Sequence, residues 1–353
     1  MAFSETVGTT RVNVGQLMAD AAALCGKLPS DLTGERIDIA KRQLFYFLMA
    51  SANLGINLWT ITQDVIGIIP LKEVYDLPIG TVDILNLQYR QFSRPTGDYA
   101  SSAGGTAANA FDNDLSTTCA QTSANGNISV NFGSSIPITC LGFMPASTAT
   151  LNLVYEYSLD GSTWTQIYAP GSMVYTDSEW SCAQITAPVS AQYFRVRETG
   201  GGTLNVREAV FGYNIYDIAC SRISRDEYAV LPSKDQQANM PPIYWYNRVL
   251  TQPQIYVWPP AQNCFQYQLV VYRTRQVMDV GDLTNELEVP DRWLDATVVN
   301  LAERMSIGVF NDVPRDRRDE LKQRAAYFLQ LAGNEERDLS PITLGFNNAC
   351  YTR

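Results

Sequence analysis

The sequence predicts an α+β multidomain protein: a four-helix body with a small β domain, plus an inserted all-β sandwich. Three observations predict this fold class. Helical apolar patterns occur at both ends of the chain, the composition changes near Gly97 and again near Gly212, and short alternating runs fill the segment between these glycines. The 353 residues leave room for about two or three domains, and 46% hydrophobic residues suffice for packed cores.

Two amphipathic helices are predicted near the start of the chain. Asn13 can cap the first helix and Gly26 can end it, because a short polar side chain accepts orphan N–H groups and glycine tolerates the left-handed end. Apolar residues three or four apart form the inward stripe of this helix: Val14, Leu17, Ala21 and Leu24. A second stripe runs before Gly55 through Ile37, Ala40, Leu44, Phe47, Leu48 and Ser51.

Two more helices are predicted near the other end. Asp291 follows Pro290 and opens a helix whose inward face carries Leu294, Val298, Leu301, Met305 and Val309. The last helix has Pro314 near its first turn and Gly333 past its end, an arrangement typical of helix termini. Its inward residues are Leu321, Ala325, Phe328, Leu329 and Ala332.

Strand-like segments lie between the helices and the middle of the chain, at residues 59–69, 82–89, 243–247, 254–258 and 266–273. Neither half has enough strands to cover a sheet, so we expect the two halves to fold together around an insertion. The predicted domains are a helical body, a β domain, an insert and a C-terminal extension. Their respective residues are 1–58 with 286–333, 59–96 with 213–285, 97–212, and 334–353.

The insert differs in composition from its flanks. It contains no lysine, three arginines and nine acidic residues. Its net charge is therefore −6, out of −10 for the whole chain. Its alternating runs are NISVNF, LVYEYS, WTQI and YFRVRE, beginning at Asn127, Leu153, Trp164 and Tyr193. Asp160 and Gly161 between two runs indicate a hairpin turn, because glycine accepts positive φ. The pattern predicts a β-sandwich.

The absence of histidine excludes several functional classes. No Ser-His-Asp or Cys-His catalytic arrangement and no histidine-ligated metal site can form. We therefore expect no enzymatic activity. The net charge of −10 argues against specific nucleic-acid binding, and no apolar run is long enough to span a bilayer. Neither a cleaved secretion signal nor a membrane partner is expected.

Seven cysteines are scattered along the chain without a CxxC pair. We expect reduced thiols, most of them buried as small apolar residues. A disulfide between Cys119 and Cys140 remains the alternative.

The insert resembles discoidin or F5/8 type C domains, the galactose-binding-like jelly rolls. The resemblance is carried, in the family's order, by AFDNDLSTTC from Ala110, ISVNFG from Ile128, YSLDGSTWTQI from Tyr157, YFRVRE from Tyr193 and REAVFG from Arg207. It implies that a structural Ca²⁺ can sit at the positions of Asp112, Asp114, Thr117 and Glu208, whose hard oxygens suit that ion. No other cofactor is implied. The alternative is an Asx-type turn that binds its own backbone.

Carbohydrate binding does not follow from this fold, because such sites lie on variable loops. Loop-like aromatic residues that could stack on sugar rings are Tyr99, Tyr168, Tyr175 and Trp180, of which we select Tyr175 and Trp180 as glycan contacts. The alternative for these rings is packing in the core or at its rim.

The flanks resemble the head-to-tail adaptors of short-tailed bacteriophages, the tail tubular protein A group. After the first helix pair, the resemblance lies in YDLPIGTVDILNLQYR from Tyr75, RISRDEYAVLPSKDQQANMPPIYWYNR from Arg222, QIYVWPPA from Gln254 and LEVPDRWLDATVVNLAERMS from Leu287. It implies a structural virion protein of the neck, made in the host cytoplasm. Twelve copies would form a ring that joins the portal protein to the tail nozzle or tube and extends the DNA channel.

This resemblance also implies partners. Genomic DNA would pass through the ring without specific binding, and an acidic wall suits that passage. Tail fibres or a surface glycan remain possible partners of the insert. The tail after Gly333 would dock to the portal through apolar residues that are unusual for a solvated end: Leu339, Ile342, Leu344, Phe346 and Tyr351. A frayed terminus is the alternative.

Two other functions stay open. The first is a carbohydrate-binding adhesin or decoration protein that acts through the insert. The second is a hydrolase that works with two carboxylates, for which Asp112 and Glu208 form the candidate pair.

Overall fold

The computed structural model of the protein describes residues 12–53, 60–234, 236–238, 240–262 and 267–335. The described residues fall into two compact units. One lies within Met1–Ile61 and Arg275–Arg353, and the other lies within Thr62–Thr274.

The first unit contains four long helices, α1, α2, α4 and α5, and the second contains the short helix α3. Their bounds are Val14–Leu24, Gly34–Asn53, Arg225–Val230, Asp291–Gly308 and Arg315–Glu335 for α1 to α5. The predicted cap is confirmed. The Asn13 side chain accepts a hydrogen bond from the backbone N–H of Gln16 at 2.8 Å, and the Gln16 side chain accepts one from the backbone N–H of Asn13 at 3.0 Å. Gly26 follows α1 with a φ of +75°, as its predicted stop requires.

The helices bury most of their predicted stripes in one large cluster, and a smaller cluster between α4 and α5 is built around Trp293, Ala296 and Ala332. Leu17, Leu44 and Met305 are almost fully buried, and Leu301 and Leu321 are 0% exposed.

The four predicted helices are therefore present, but two details of the prediction are wrong. On α4 the buried residues are Trp293, Ala296 and Val299, whereas Leu294 and Val298 are half-buried. The last helix continues through Gly333 to Glu335, so this glycine does not end it.

Fourteen strands, β1 to β14, are described. Their bounds are Ile61–Gly67, Val74–Asp76, Thr81–Ser93, Asp98–Ser101, Cys119–Ala124, Asn127–Pro145, Ala149–Ser158, Thr165–Tyr175, Ser181–Glu198, Thr203–Ala219, Ser221–Ile223, Ile243–Asn247, Gln254–Trp258 and Tyr267–Arg275. The strand-like segments read from the sequence all lie on or overlap these strands. The Asp160 carboxylate accepts from the Ser162 and Thr163 N–H groups and forms the predicted turn between β7 and β8.

The strands form two sheets. Ten strands make a sheet with the order β1-β14-β3-β10-β6-β9-β7-β8, in which β4 joins β6 and β5 joins β10. The second sheet has the order β11-β12-β13-β2, with β11 parallel to β12 and the other neighbours antiparallel. In the large sheet, β10 pairs antiparallel with β3, β5 and β6, and β9 pairs antiparallel with β6 and β7.

The predicted fold class, a four-helix adaptor body with a small β domain and an inserted jelly-roll sandwich, is wrong. The described chain is mostly β, and its main feature is the ten-stranded sheet rather than a helical body. A jelly roll is present, but strands from within and outside residues 97–212 build this sheet together. The predicted boundaries near Gly97 and Gly212 both lie inside the 62–274 unit.

Gly212 shows how strands from within and outside residues 97–212 come to share one sheet. The strand β10 runs through Gly212, pairing it with Cys140 of β6, and then continues along β3 from Tyr213 to Ala219. A Cβ at Gly212 would lie 2.6 Å from the Phe92 ring and closer still to the Cys140 sulfur. The glycine therefore permits close packing inside a continuous strand.

Two large buried clusters and a small one, formed by Phe92, Cys140 and Val210, lie in the second unit. The first lies inside the jelly roll and includes Ile128, Phe143, Phe194 and Phe211. The second lies between the two sheets and contains residues from both flanks, among them Tyr75, Leu87, Ile255, Val257 and Val271. Burial of such apolar surface contributes roughly 25 cal/mol per Å².

Candidate functional site

The loop before β5 is held by its own side chains. The Asp112 carboxylate accepts from the Asp114 N–H at 2.9 Å and from the Thr117 hydroxyl at 2.8 Å. The Asp114 carboxylate accepts from the Ser116 N–H at 2.9 Å and the Ser116 hydroxyl at 2.7 Å. Asn113 takes a φ of 62° between them. These are the contacts of Asx-type turns.

Glu208 on β10 lies beneath this loop and is 0% exposed. One carboxylate oxygen accepts from the Asp114 N–H at 3.1 Å, and the other lies 3.0 Å from Nη2 of Arg94. Arg94 Nη2 also donates to the carbonyl of Ala209 at 2.9 Å. The structure therefore brings together all four residues predicted for a metal and adds an arginine to them.

The environment of Glu208 changes its acidity. Burial raises the pKa of Glu208 to about 7, the Arg94 guanidinium opposes that rise, and a hydrogen-bond contact with the Asp112 carboxylate adds to it. Glu208 can therefore retain its proton up to nearly neutral pH.

The residues present do not fit a bound Ca²⁺. A calcium site needs six to eight oxygens that converge on the ion. Here the Asp114 carboxylate turns to Ser116, and Arg94 already supplies Glu208 with a positive partner. No group of three or more Asp, Glu, Cys or His side chains in the described part of the chain converges on a point that could hold a metal ion. We derive no role for calcium.

The two aromatic residues selected as glycan contacts pack against other side chains. Tyr175 is 3% exposed and lies edge-on to Phe143, with the ring centroids 5.4 Å apart. Trp180 packs against the core residues Cys140 and Val210, and its ring fills the space where a Cβ of Gly67 would lie. The proposed role of these two residues as glycan contacts stays a prediction, since both rings are packed against other side chains.

Other predicted residues have different outcomes. The portal-docking residues Leu339, Ile342, Leu344, Phe346 and Tyr351 lie outside the described residues. Cys25, Cys119, Cys140, Cys182 and Cys220 form no disulfide, so the Cys119–Cys140 alternative is wrong. Burial raises the pKa of the Cys140 thiol to about 12, which favours its protonated form.

A cleft of about 600 Å³ opens beside the jelly roll within the 62–274 unit. One wall consists of Tyr168 on β8 and residues 182–184 on β9, and the other consists of residues 63–66 on β1, residues 76–78 and Gln252. Its volume lies within the range of roughly 300–1,000 Å³ that ligand sites occupy. Tyr168, one of the four loop-like aromatics in the sequence, is 39% exposed here.

Sequence reasoning missed Arg94 and the glutamine residues of the cleft. Arg94 lies 114 positions before Glu208, and Gln63 lies 121 positions before its partner Gln184. Neither pair has a short-range signal, because each joins residues that are distant in sequence and that only the folded strands bring together.

Comparisons with known proteins cover two overlapping parts of the chain. The family model of the F5/8 type C domain matches residues 93–209, and that of the SU10 adaptor protein matches residues 183–342. The resemblance of the insert to F5/8 type C domains is thus confirmed. The second match suggests a phage adaptor without reaching the tail tubular protein A group. No curated protein matches the chain.

Solved structures similar to this chain include carbohydrate-binding modules. Chitosan-binding module 1 of a chitosanase/glucanase from Paenibacillus sp. IK-5 is 21% identical, with a TM-score of 0.31, over 35% of this chain and 98% of that module. CpGH89CBM32-5 from Clostridium perfringens, in complex with GalNAc-β-1,3-galactose, is 14% identical and has a TM-score of 0.30. The match covers 33% of this chain and 94% of that module. The family 32 module of C. perfringens NanJ, in complex with galactose, is 13% identical, with a TM-score of 0.30, over 34% and 96%.

Within the described residues, no helix is both long and apolar enough to cross a membrane.

Proposed function

We propose that this chain is a structural component of a phage virion, an adaptor that assembles into a ring between the portal and the tail and extends the DNA channel. The observation that carries the proposal is the SU10 adaptor match over residues 183–342. This range includes the strands β11 to β14 and the helices α4 and α5. The non-enzymatic role also agrees with a chain that contains no histidine.

The charge of the chain supports a channel role. Each copy carries a net charge of −10. A ring of about a dozen copies would hold on the order of a hundred negative charges, which repel the DNA phosphates instead of gripping them. DNA could then pass through such a ring without adhering to its wall.

Exposed apolar side chains on the last two helices suit contacts with a second copy. Ile307 on α4 is 59% exposed, and Tyr327 and Leu331 on α5 are 62% and 45% exposed. Tyr327 and Leu331 are four residues apart and therefore share one face of the helix. Association with a neighbouring copy would remove these side chains from water.

The test is to mix the intact chain with a portal protein and examine the products by negative-stain electron microscopy and mass photometry. Rings are expected from the wild type. The Y327E/L331E variant should lose them, whereas V230E, which alters an 80% exposed apolar residue on α3, should keep them. Failure of the wild type to form rings with portal would contradict the adaptor proposal.

A second candidate function is carbohydrate recognition by the jelly roll. The F5/8 type C match over residues 93–209 favours it, and the similar modules named above carry chitosan-binding or galactose-bound descriptions. Ring assembly and recognition are compatible in one chain. Binding of the intact chain to a glycan array tests recognition directly, and the absence of any bound glycan would contradict it.

A further inference from the structure

The cleft beside the jelly roll has an unusual combination of lining residues. Amides line it at Gln63, Gln184 and Gln252, and carboxylates at Asp64 and Asp76. No lysine or arginine is among its lining residues. Uncharged donors and acceptors thus outnumber charges, and the charges present are negative.

A buried arginine fixes the orientation of two of these amides. Arg90 is 2% exposed, and Asp217 holds its guanidinium through two hydrogen bonds of 2.7 Å. Arg90 Nη1 donates to Oε1 of Gln184 at 2.8 Å. Because arginine can only donate, this oxygen assignment follows from the chemistry.

The same oxygen of Gln184 also accepts from Nε2 of Gln63 at 2.9 Å. The Gln184 NH₂ group and the Gln63 carbonyl oxygen are left to face a ligand, as a donor and an acceptor on adjacent side chains. A hydroxyl group both donates and accepts, so such a pair suits the hydroxyls of a polyol. The orientation is set before any ligand arrives, which lowers the entropic cost of binding.

The carboxylates add acceptors at the opposite wall. Asp76 accepts from Gln254 through Oδ1 at 2.8 Å, and its side chain is exposed to the cleft. Asp64 is paired with the guanidinium of Arg273. Asp76 has no cation beside it among the lining residues, so its negative charge disfavours phosphorylated, sulfated or sialylated ligands.

An exposed aromatic ring completes the wall on the jelly-roll side. The Tyr168 ring lies in front of the buried Tyr155, with a centroid separation of 6.1 Å. A half-exposed tyrosine presents a rigid apolar face at low conformational cost. The C–H face of a pyranose ring can pack on such a surface.

From these contacts we infer that the cleft is a binding site for a neutral oligosaccharide, with Tyr168 as the stacking surface and Gln63, Gln184 and Asp76 as hydroxyl partners. This inference rests on the second candidate function, carbohydrate recognition, and is independent of ring assembly. Part of the site lies outside residues 93–209, so the flanking strands β1 and β2 take part in recognition.

The test uses the intact chain on an array that carries neutral glycans such as lactose, maltotriose and N,N′,N″-triacetylchitotriose, together with sialyllactose. The affinity for the bound glycan is then measured by isothermal titration calorimetry. Y168A and Q184L should each weaken binding by about tenfold or more, and Y168W should retain it because the stacking surface remains. The matched control is Y216A, which removes a tyrosine that is 66% exposed on β10 and does not line the cleft.

The outcomes separate the two hypotheses. Loss of binding in Y168A and Q184L, with normal binding in Y216A, supports the cleft. Neutral glycan binding that survives both substitutions overturns the cleft but leaves recognition in place. Binding of sialyllactose alone also overturns it, and a chain that binds no glycan refutes both recognition and the cleft.

Discussion

Replacing Glu208 with Gln should change how the free energy of unfolding depends on pH. Glu208 is fully buried beneath the Asp112 loop, and burial raises its pKa from 4.5 to about 7. The chain contains no histidine, the side chain that ordinarily titrates between pH 5 and 7. This interval is therefore well suited to observing a single buried carboxyl.

The sign follows from proton linkage. Between pH 4.5 and pH 7 the unfolded chain has Glu208 ionised, while the folded chain retains the proton. Stability from this group is therefore complete below about pH 4.5 and is lost as the pH rises through about 7. At roughly 1.36 kcal/mol per pH unit, the loss between about pH 5 and pH 7 is about 2 kcal/mol.

The assay is urea unfolding of the intact protein at several pH values between about pH 5 and pH 7.5. The wild type should become less stable as the pH rises, and the E208Q variant should lose that dependence because an amide does not ionise. E227Q is the matched control, since hydrogen bonds from Ser224 at the N-terminus of α3 lower the pKa of Glu227 and keep its titration below this interval. The reasoning is refuted if E208Q and the wild type have the same dependence, or if the wild type gains stability over this range.

Three further results are expected. Adding about 1 mM Ca²⁺ or an excess of EDTA should leave the thermal unfolding midpoint of the protein unchanged, whereas a rise with calcium would show that the Arg94 pairing had been misjudged. G212A should destabilise the protein by about 1–3 kcal/mol in urea unfolding, because the added methyl meets Phe92 and Cys140. Its control is G34A, where nothing lies within 4 Å, and equal effects would argue against the packing explanation. N13A should cost about 1 kcal/mol through loss of the α1 cap, and hydrogen exchange of the α1 amides that is no faster than in the wild type would contradict it.

Local signals predicted the individual elements well. The cap at Asn13 and the alternation from Ile243 to Asn247 and from Gln254 to Trp258 each depend on neighbouring residues, and the structure places a helix start or a strand at all three. The fold class failed because the joining of strands is not local. Gly212 lies under packed side chains inside β10, and its neighbours in sequence do not indicate that the strand continues through it to pair with β3.

The candidate site shows the same division. The resemblance to F5/8 type C domains predicted a group of four residues, and the structure places them together: Asp112, Asp114, Thr117 and Glu208. Arg94 changes the chemistry of that group, yet it reaches Glu208 only because β3 pairs with β10. The cleft likewise depends on Arg90, whose contact with Gln184 joins residues 94 positions apart.

The uninterrupted course of β10 has a mechanical consequence. Within the ten-stranded sheet, the first part of β10 pairs with the jelly-roll strand β6 and its last part pairs with β3, which precedes residue 97. A force applied to the jelly roll would therefore be transmitted through the backbone of β10. It would act in shear on the hydrogen bonds between β10 and β3, because no flexible linker separates the two parts of the strand. Excising the jelly roll would remove the first half of this strand, so a shortened chain would need a substitute segment to keep the neighbouring sheet anchored.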